Sequence, residues 1–319
     1  MGFLFHCLKM LFNHPIEFYS KLKWEIISFI LRFKWYKDSD SITELKKNWK
    51  KINSKLIKNW NCYSYLYEKY NNYLYSLPHY KENKDRENVI WRCWLQWEEN
   101  APKLNKSCLK SIKRFAKDKK IIVITKDNLE DYVKFPKYII EKHKKGIIPC
   151  AQFSNLIRLE LLIKYWWTRI DSTILLTWYN KSFFDSSFFV FHTDNHDNSE
   201  VASNWFITSN KNNPILKTTR DLLFEYFKDN DYLINYFVFY FFFTMAVKKY
   251  PEIWDKMPKY SNVPPRTMQY DLLWKYNKKR FEELKKISSV HKLNFKIDRK
   301  KLSWNSLFEY IENMKENAF

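Results

Sequence analysis

The sequence predicts an α/β fold, a mainly parallel sheet between helices. Two observations carry this. Over residues 89–125 an apolar strand pattern, a helical pattern and a second apolar strand follow one another, the order that builds a parallel pair. Over 151–177 a helical pattern then runs into β-branched apolar residues, the mark of a strand covered on both faces.

Taken in order, residues 1–36 alternate apolar and basic side chains, with Phe3, Leu8, Leu11, Trp24, Ile27 and Ile30 punctuated by Lys9, Lys21, Lys23, Arg32 and Lys34. No uncharged run there reaches the ~18–20 residues a spanning helix needs. This reads as a basic amphipathic helix, lying on an anionic membrane or docked on protein. Residues 40–80 look helical and charged. A polar linker at 81–88 precedes a strand at 89–95, a helix at 104–115 with Cys108, Leu109, Ile112 and Phe115 at helical spacing, and a buried strand at 121–125. Loop and helix follow over 129–144.

In the central helix, Leu156, Leu159, Leu162 and Ile163 are spaced for one face, and Ser154 and Arg158 share another. Tyr165, Trp166 and Trp167 end it, and the apolar run Ile170–Leu176 contains Asp171. Residues 182–198 alternate and open into a loop, and 214–228 is amphipathic. The apolar stretch 232–247 is 16 residues long, short for a membrane span, and reads as a core helix. A basic amphipathic helix over 275–286 closes the pattern. The expected boundaries are a basic helical region at 1–84, a catalytic domain at 85–275 and a helical tail at 276–319.

The formal net charge of +21 implies an anionic partner: a nucleotide phosphate, an anionic lipid surface or nucleic acid. No zinc-finger, helix-turn-helix or RNA-binding signature is present, so nucleic acid is not the expected partner. Five cysteines without a C-x-x-C pair fit free thiols in a reducing cytoplasm. No cleavable signal peptide is predicted, and Gly2 lacks the downstream Ser or Thr of a myristoylation signal. Only two glycines occur beside 14 tryptophans, where ordinary usage of about 7% would give roughly twenty glycines.

Asp171 is the leading candidate for chemistry. A carboxylate in an apolar strand needs a charged partner, a hydrogen bond or a cation, and its plainer reading is a buried structural acid. Arg158 can pair with it or with phosphate, as catalytic partner or as a structural salt bridge. Ser154 can cap the helix or touch ligand. Trp91, Trp94 and Gln96 stand at the end of the first strand, where α/β sheets present ligands, although either indole could be core. Asp127 and Asn128 follow the second strand in the same way. His192, Asp194, His196 and Asp197 have a metal-like composition, but their spacing matches no named site and a solvated loop is the simpler reading.

These blocks together resemble the capsular polysaccharide synthesis protein family. The residues that carry the resemblance are Phe153-Ser154-Asn155-Leu156-Ile157-Arg158, Trp166-Trp167, then Arg169-Ile170-Asp171-Ser172-Thr173. They are flanked by 89–102, 121–128, 203–214 and 261–266, so the resemblance covers roughly 85–275. It implies a GT-A-type nucleotide-diphospho-sugar transferase fold with helical additions at both ends. It also implies transfer of a hexosyl unit from a nucleoside-diphosphate sugar to a capsular or other surface glycan, or its lipid-linked precursor. The alternative is an inactive sugar-nucleotide-binding or scaffold relative in a capsule assembly complex.

By resemblance, Asp171 and Arg158 are catalytic. Trp91, Trp94, Gln96, Asp127, Ser154, Asn155, Ser172, Thr173, Asn204 and Arg266 would bind substrate. Asp171 is the candidate ligand for a divalent cation, Mg²⁺ or Mn²⁺, left open because Thr173 occupies the second acid position of a D-x-D pair. The expected location is the cytoplasmic face of the cell membrane. Gln152, Asn155, Arg169, Tyr240 and Arg266 depart from the family's usual types. Trp97, Trp166, Trp167 and Trp178 stand where it favours small residues. A stop-type codon that the source organism reads as glycine would account for those indoles.

Overall fold

The computed structural model describes residue 22 and residues 54–83, 88–95, 100–165, 167–193 and 199–314. The basic stretch 1–36 apart from Leu22, Gln96, Trp97, Trp166, and the loop acids and histidine at Asp194, His196 and Asp197 lie outside the described residues.

A five-stranded sheet forms the centre, with strand order β2-β1-β3-β6-β5. Strands β1 (Val89–Cys93) and β2 (Lys120–Ile124) run parallel with Ile90 opposite Ile121, joined by helix α2 (Lys103–Phe115). Strand β3 (Trp167–Ile170) runs parallel to β1, with Ile90 opposite Thr168. Strand β6 (Ala202–Ser209) alone runs against the others: it is antiparallel both to β3 and to the edge strand β5 (Phe188–His192). The sheet is therefore mixed rather than mainly parallel. Its hairpin partners arise where the chain returns without a crossover helix.

The run Ile170–Leu176 is not one strand. It breaks at Asp171, where Ile174 N–H donates to the Asp171 carbonyl at 3.1 Å. Strand β4 (Ile174–Leu176) then leaves for a second sheet, pairing antiparallel with β7 (Val290–Lys292). Asp171 thus stands at the carboxyl end of β3, at a split between two sheets, where strand ends present groups to ligands.

Helix α5 (Cys150–Tyr165) feeds β3 and is fully buried along Leu156, Leu159 and Leu162. It packs with α1 (Ser54–Ser76), α7 (Pro214–Asp229) and α8 (Val238–Lys249) in the largest core, where Leu66, Leu223 and Phe242 are completely buried. The apolar 232–247 stretch is this core helix α8, and no described helix is long and apolar enough to cross a membrane. Tyr70 of α1 meets Phe242 edge-on at 5.5 Å.

A separate core joins Leu175 of β4 to Met268 of α10 (Val263–Asp271), Phe281 and Leu284 of α11 (Lys278–Ile287), and Phe308 of α12 (Leu307–Glu312). These two cores draw on residues from all three expected regions. Helix α11, expected as a basic amphipathic helix, buries Phe281 and Leu284.

Candidate active site at the end of the third strand

Three cations converge on Asp171. Arg169 Nη1 donates to Asp171 Oδ1 at 2.8 Å, and Arg158 Nη2 lies 3.8 Å from the same oxygen. Lys292 Nζ lies 3.2 Å from Oδ2. Each arrives from a different element. Arg158 comes from the buried face of α5, and Arg169 projects from β3. Lys292 is carried in by β7, whose register sets it opposite Ile174. Asp171 itself is held by its N–H, which donates to the Trp205 carbonyl at 2.8 Å.

Burial would raise the Asp171 pKa, but Lys292, Arg169 and Arg158 together outweigh it and hold the carboxyl well below the usual range. The Arg158 pKa also falls, but here the charged form is disfavoured. Burial and the neighbouring Arg169 charge bring its pKa down to about 9, against the pull of Asp171. Three cations against one carboxylate leave a surplus of two positive charges in a cramped site.

A polar chain extends behind Arg158. Its Nη1 donates to Asn155 Oδ1, which also accepts from Asn204 Nδ2 at 3.0 Å. Tyr240 OH donates to Asn204 Oδ1 at 2.9 Å, and Asn155 Nδ2 donates to Gln152 Oε1 at 3.2 Å. Gln152 in turn donates to the Tyr236 carbonyl. Four of the five residues that depart from the expected family types, Gln152, Asn155, Arg169 and Tyr240, therefore belong to one connected network. Burial, followed by the charge of Glu200, raises the Tyr240 phenol, so it stays protonated as a donor.

The loop after Asp171 is equally engaged. Thr173 Oγ1 accepts from Lys292 at 2.5 Å. The Ser172 carbonyl accepts from Arg92 Nη2 at 2.7 Å, and Ser172 Oγ accepts from Asn105 at 3.0 Å. A small cleft beside Ser172 is lined by Arg92, Trp94, Asn105 and Val123. The Asp171 and Lys292 side chains keep 29% and 22% of their surface exposed, so the acid is not walled off by indoles.

The remaining candidates divide. Ser154 lies beside Cys93, whose thiol burial pushes up. Trp91 is buried to 1% between Tyr132 and Tyr165, which leaves no free ring face for a base. It belongs to the core. Trp94 meets Phe295 edge-on at 6.1 Å and lines the small cleft. Asp127 is exposed, and Asn128 ties its own loop through Thr125 N–H and the Val123 carbonyl. Arg266 is exposed on α10. His192 sits against Trp254 at 4.6 Å in β5.

Sequence reasoning did not find Lys292, which lies 121 positions from Asp171 on a strand that no local pattern ties to β3, and it noted Arg169 and Tyr240 only as departures. A charged residue beside Asp171 in an apolar strand was the signal available for Arg169.

A divalent cation fits these residues poorly. Mg²⁺ and Mn²⁺ take several oxygen ligands, carboxylates foremost. Both Asp171 oxygens already face cations, Thr173 replaces a second acid, and no cluster of three His, Cys, Asp or Glu side chains among the described residues is placed to hold a metal.

A family model described as capsular polysaccharide synthesis protein matches residues 42–311. No curated protein matches the chain. Among solved structures, a chain titled PaToxG Glycosyltransferase is similar at 15% identity with a TM-score of 0.38, over 62% of this chain and 83% of that one.

Proposed function

Because this chain belongs to the capsular polysaccharide synthesis protein family, we propose that it is a glycosyltransferase of the GT-A type. It would move a hexosyl unit from a nucleoside-diphosphate sugar to a surface polysaccharide or its lipid-linked precursor. The observation that supports this is the surplus of positive charge around Asp171 at the carboxyl end of β3. In the transfer, the bond from the anomeric carbon to the diphosphate breaks and its electron pair stays on the diphosphate oxygen. A bond to the acceptor hydroxyl oxygen forms, and the hydroxyl proton leaves with the released nucleoside diphosphate. Preorganised cations stabilise the charge that develops on the leaving oxygen. Asn155, Asn204 and Tyr240 would orient sugar or ribose hydroxyls, since amides and a phenol can both donate and accept.

The test is a panel of nucleoside-diphosphate sugars, read by thermal stabilisation and by release of nucleoside diphosphate. Stabilisation with release supports the transferase. A second reading, a sugar-nucleotide-binding scaffold, is favoured by the network behind Arg158, which is built of amides and a protonated phenol and offers no ionised base. Stabilisation without release, with or without a glycan acceptor, would favour that reading. The net charge of +21 supports a place at an anionic membrane face, where lipid-linked acceptors would be met.

A further inference from the structure

Resting on that transferase reading, we propose that this chain holds the donor diphosphate without a divalent metal, in a clamp of Lys292, Arg169 and Arg158 that Asp171 assembles. A metal at Asp171 would have to displace Arg169 or Lys292 from the carboxylate and add charge to an existing positive surplus. An anion meets the opposite situation. A diphosphate diester carries one negative charge per phosphorus, which matches the surplus of two.

Accessibility divides the labour. The Lys292 side chain is 22% exposed and is the member that touches phosphate. Arg158 and Arg169, at 5% and 2%, act from behind as fixed charge. Their Nε atoms are buried with no hydrogen-bond partner among the described residues, so both guanidinium groups retain donor capacity. Asp171 is a positioning residue: it offsets enough repulsion for the three cations to stand together. Thr173 takes the remaining role of aiming the Lys292 ammonium, through its hydroxyl.

Calorimetric titration of the full-length protein with inorganic pyrophosphate, in EDTA and in Mg²⁺, tests the clamp. Affinity in EDTA at least as high as in Mg²⁺ is expected, because Mg²⁺ competes with the clamp for pyrophosphate. Lys292→Met should weaken binding roughly tenfold to a hundredfold, the equivalent of one charge-assisted bond of about 1.5–3 kcal/mol. Lys292→Arg should restore most of it, which separates loss of charge from loss of fold. Binding that needs Mg²⁺, binding unchanged in Lys292→Met, or no binding under either condition overturns the clamp. Release of nucleoside diphosphate from sugar donors that requires Mg²⁺ would also overturn it while leaving the transferase reading standing. Pyrophosphate binding with no turnover of any donor would sink the transferase and spare the clamp.

A different observation carries a second inference. Four described residues take a left-handed backbone: Gly146, Asn212, Asn305 and Trp167, the last at φ 71°. Glycine and asparagine adopt this region routinely and tryptophan does not. Trp167 is the second residue past the end of α5, the place where helices most often close with a left-handed glycine. The indole N–H groups of Trp167 and Trp205 are buried without a hydrogen-bond partner among the described residues, while Trp178, Trp274 and Trp304 are among the exposed large apolar side chains.

With two glycines in 319 residues, we infer that position 167, and turn positions like it, carry glycine in the protein made by its source. The gene would then place a reassigned stop codon there. Mass spectrometry of the tryptic peptide 165–169 from native protein reads the residue directly. A glycine mass at 167 is expected; a tryptophan mass, or a TGG codon, overturns the inference.

Discussion

At the scale of the residue, the site turns on how unequal charges share a small volume. Asp171 is the anion that lets Arg158, Arg169 and Lys292 stand within reach of one another. Removing it leaves buried cations unpaired, so Asp171→Asn should destabilise the fold by about 3–5 kcal/mol, read from urea unfolding. Loss of turnover in such a variant would report folding as much as chemistry. Arg158 answers in the opposite sense. Its folded pKa, about 9, lies below its unfolded value. Between those two values the unfolded chain binds the proton and the folded one does not, so stability rises with pH there; at neutral pH its burial weakens the fold. Arg158→Met should therefore leave the melting temperature unchanged or higher while weakening pyrophosphate binding, an outcome that thermal melts and titration can read together. A residue that costs stability where it stands is expected at a binding site.

At the scale of the element, the pairing of β7 with β4 decides whether the site is complete. It sets Leu175 opposite His291 and Ile174 opposite Lys292, so one register delivers both a buried histidine and the accessible ammonium. His291 is almost fully buried, with its Nε2 3.2 Å from Thr177 Oγ1, and burial takes its pKa down to about 3. The unfolded histidine titrates near 6.5. From that value down to about 3 the unfolded chain gains a proton that the folded chain refuses, so stability falls as pH drops through this window. The slope should be on the order of 1 kcal/mol per pH unit, and His291→Leu should flatten it when melting is followed against pH. The β1–α2–β2 unit and the α5–β3 junction were legible from hydrophobic periodicity, because local burial writes a local pattern. The break at Asp171 was not, because β4 reads as continuous with β3 until its partner β7 is known.

At the scale of the whole molecule, the charge of +21 predicts binding to an anionic surface. The full chain should co-sediment with vesicles containing anionic lipid and not with neutral ones, and high salt should release it. Deleting residues 1–36, which precede the family match at 42–311, should abolish that binding and leave pyrophosphate affinity intact. By itself the amino-acid order determined the α/β class, the family blocks around Arg158 and Asp171, and the core character of α8, because each is written in neighbouring residues. Only the tertiary structure decided that the sheet is mixed, that Trp91 is core, and that Lys292 and Tyr240 join Arg158, Arg169 and Asp171. Those facts depend on strand register and on contacts between distant segments, and a charge far along the chain has no local signature until packing brings it beside its partner.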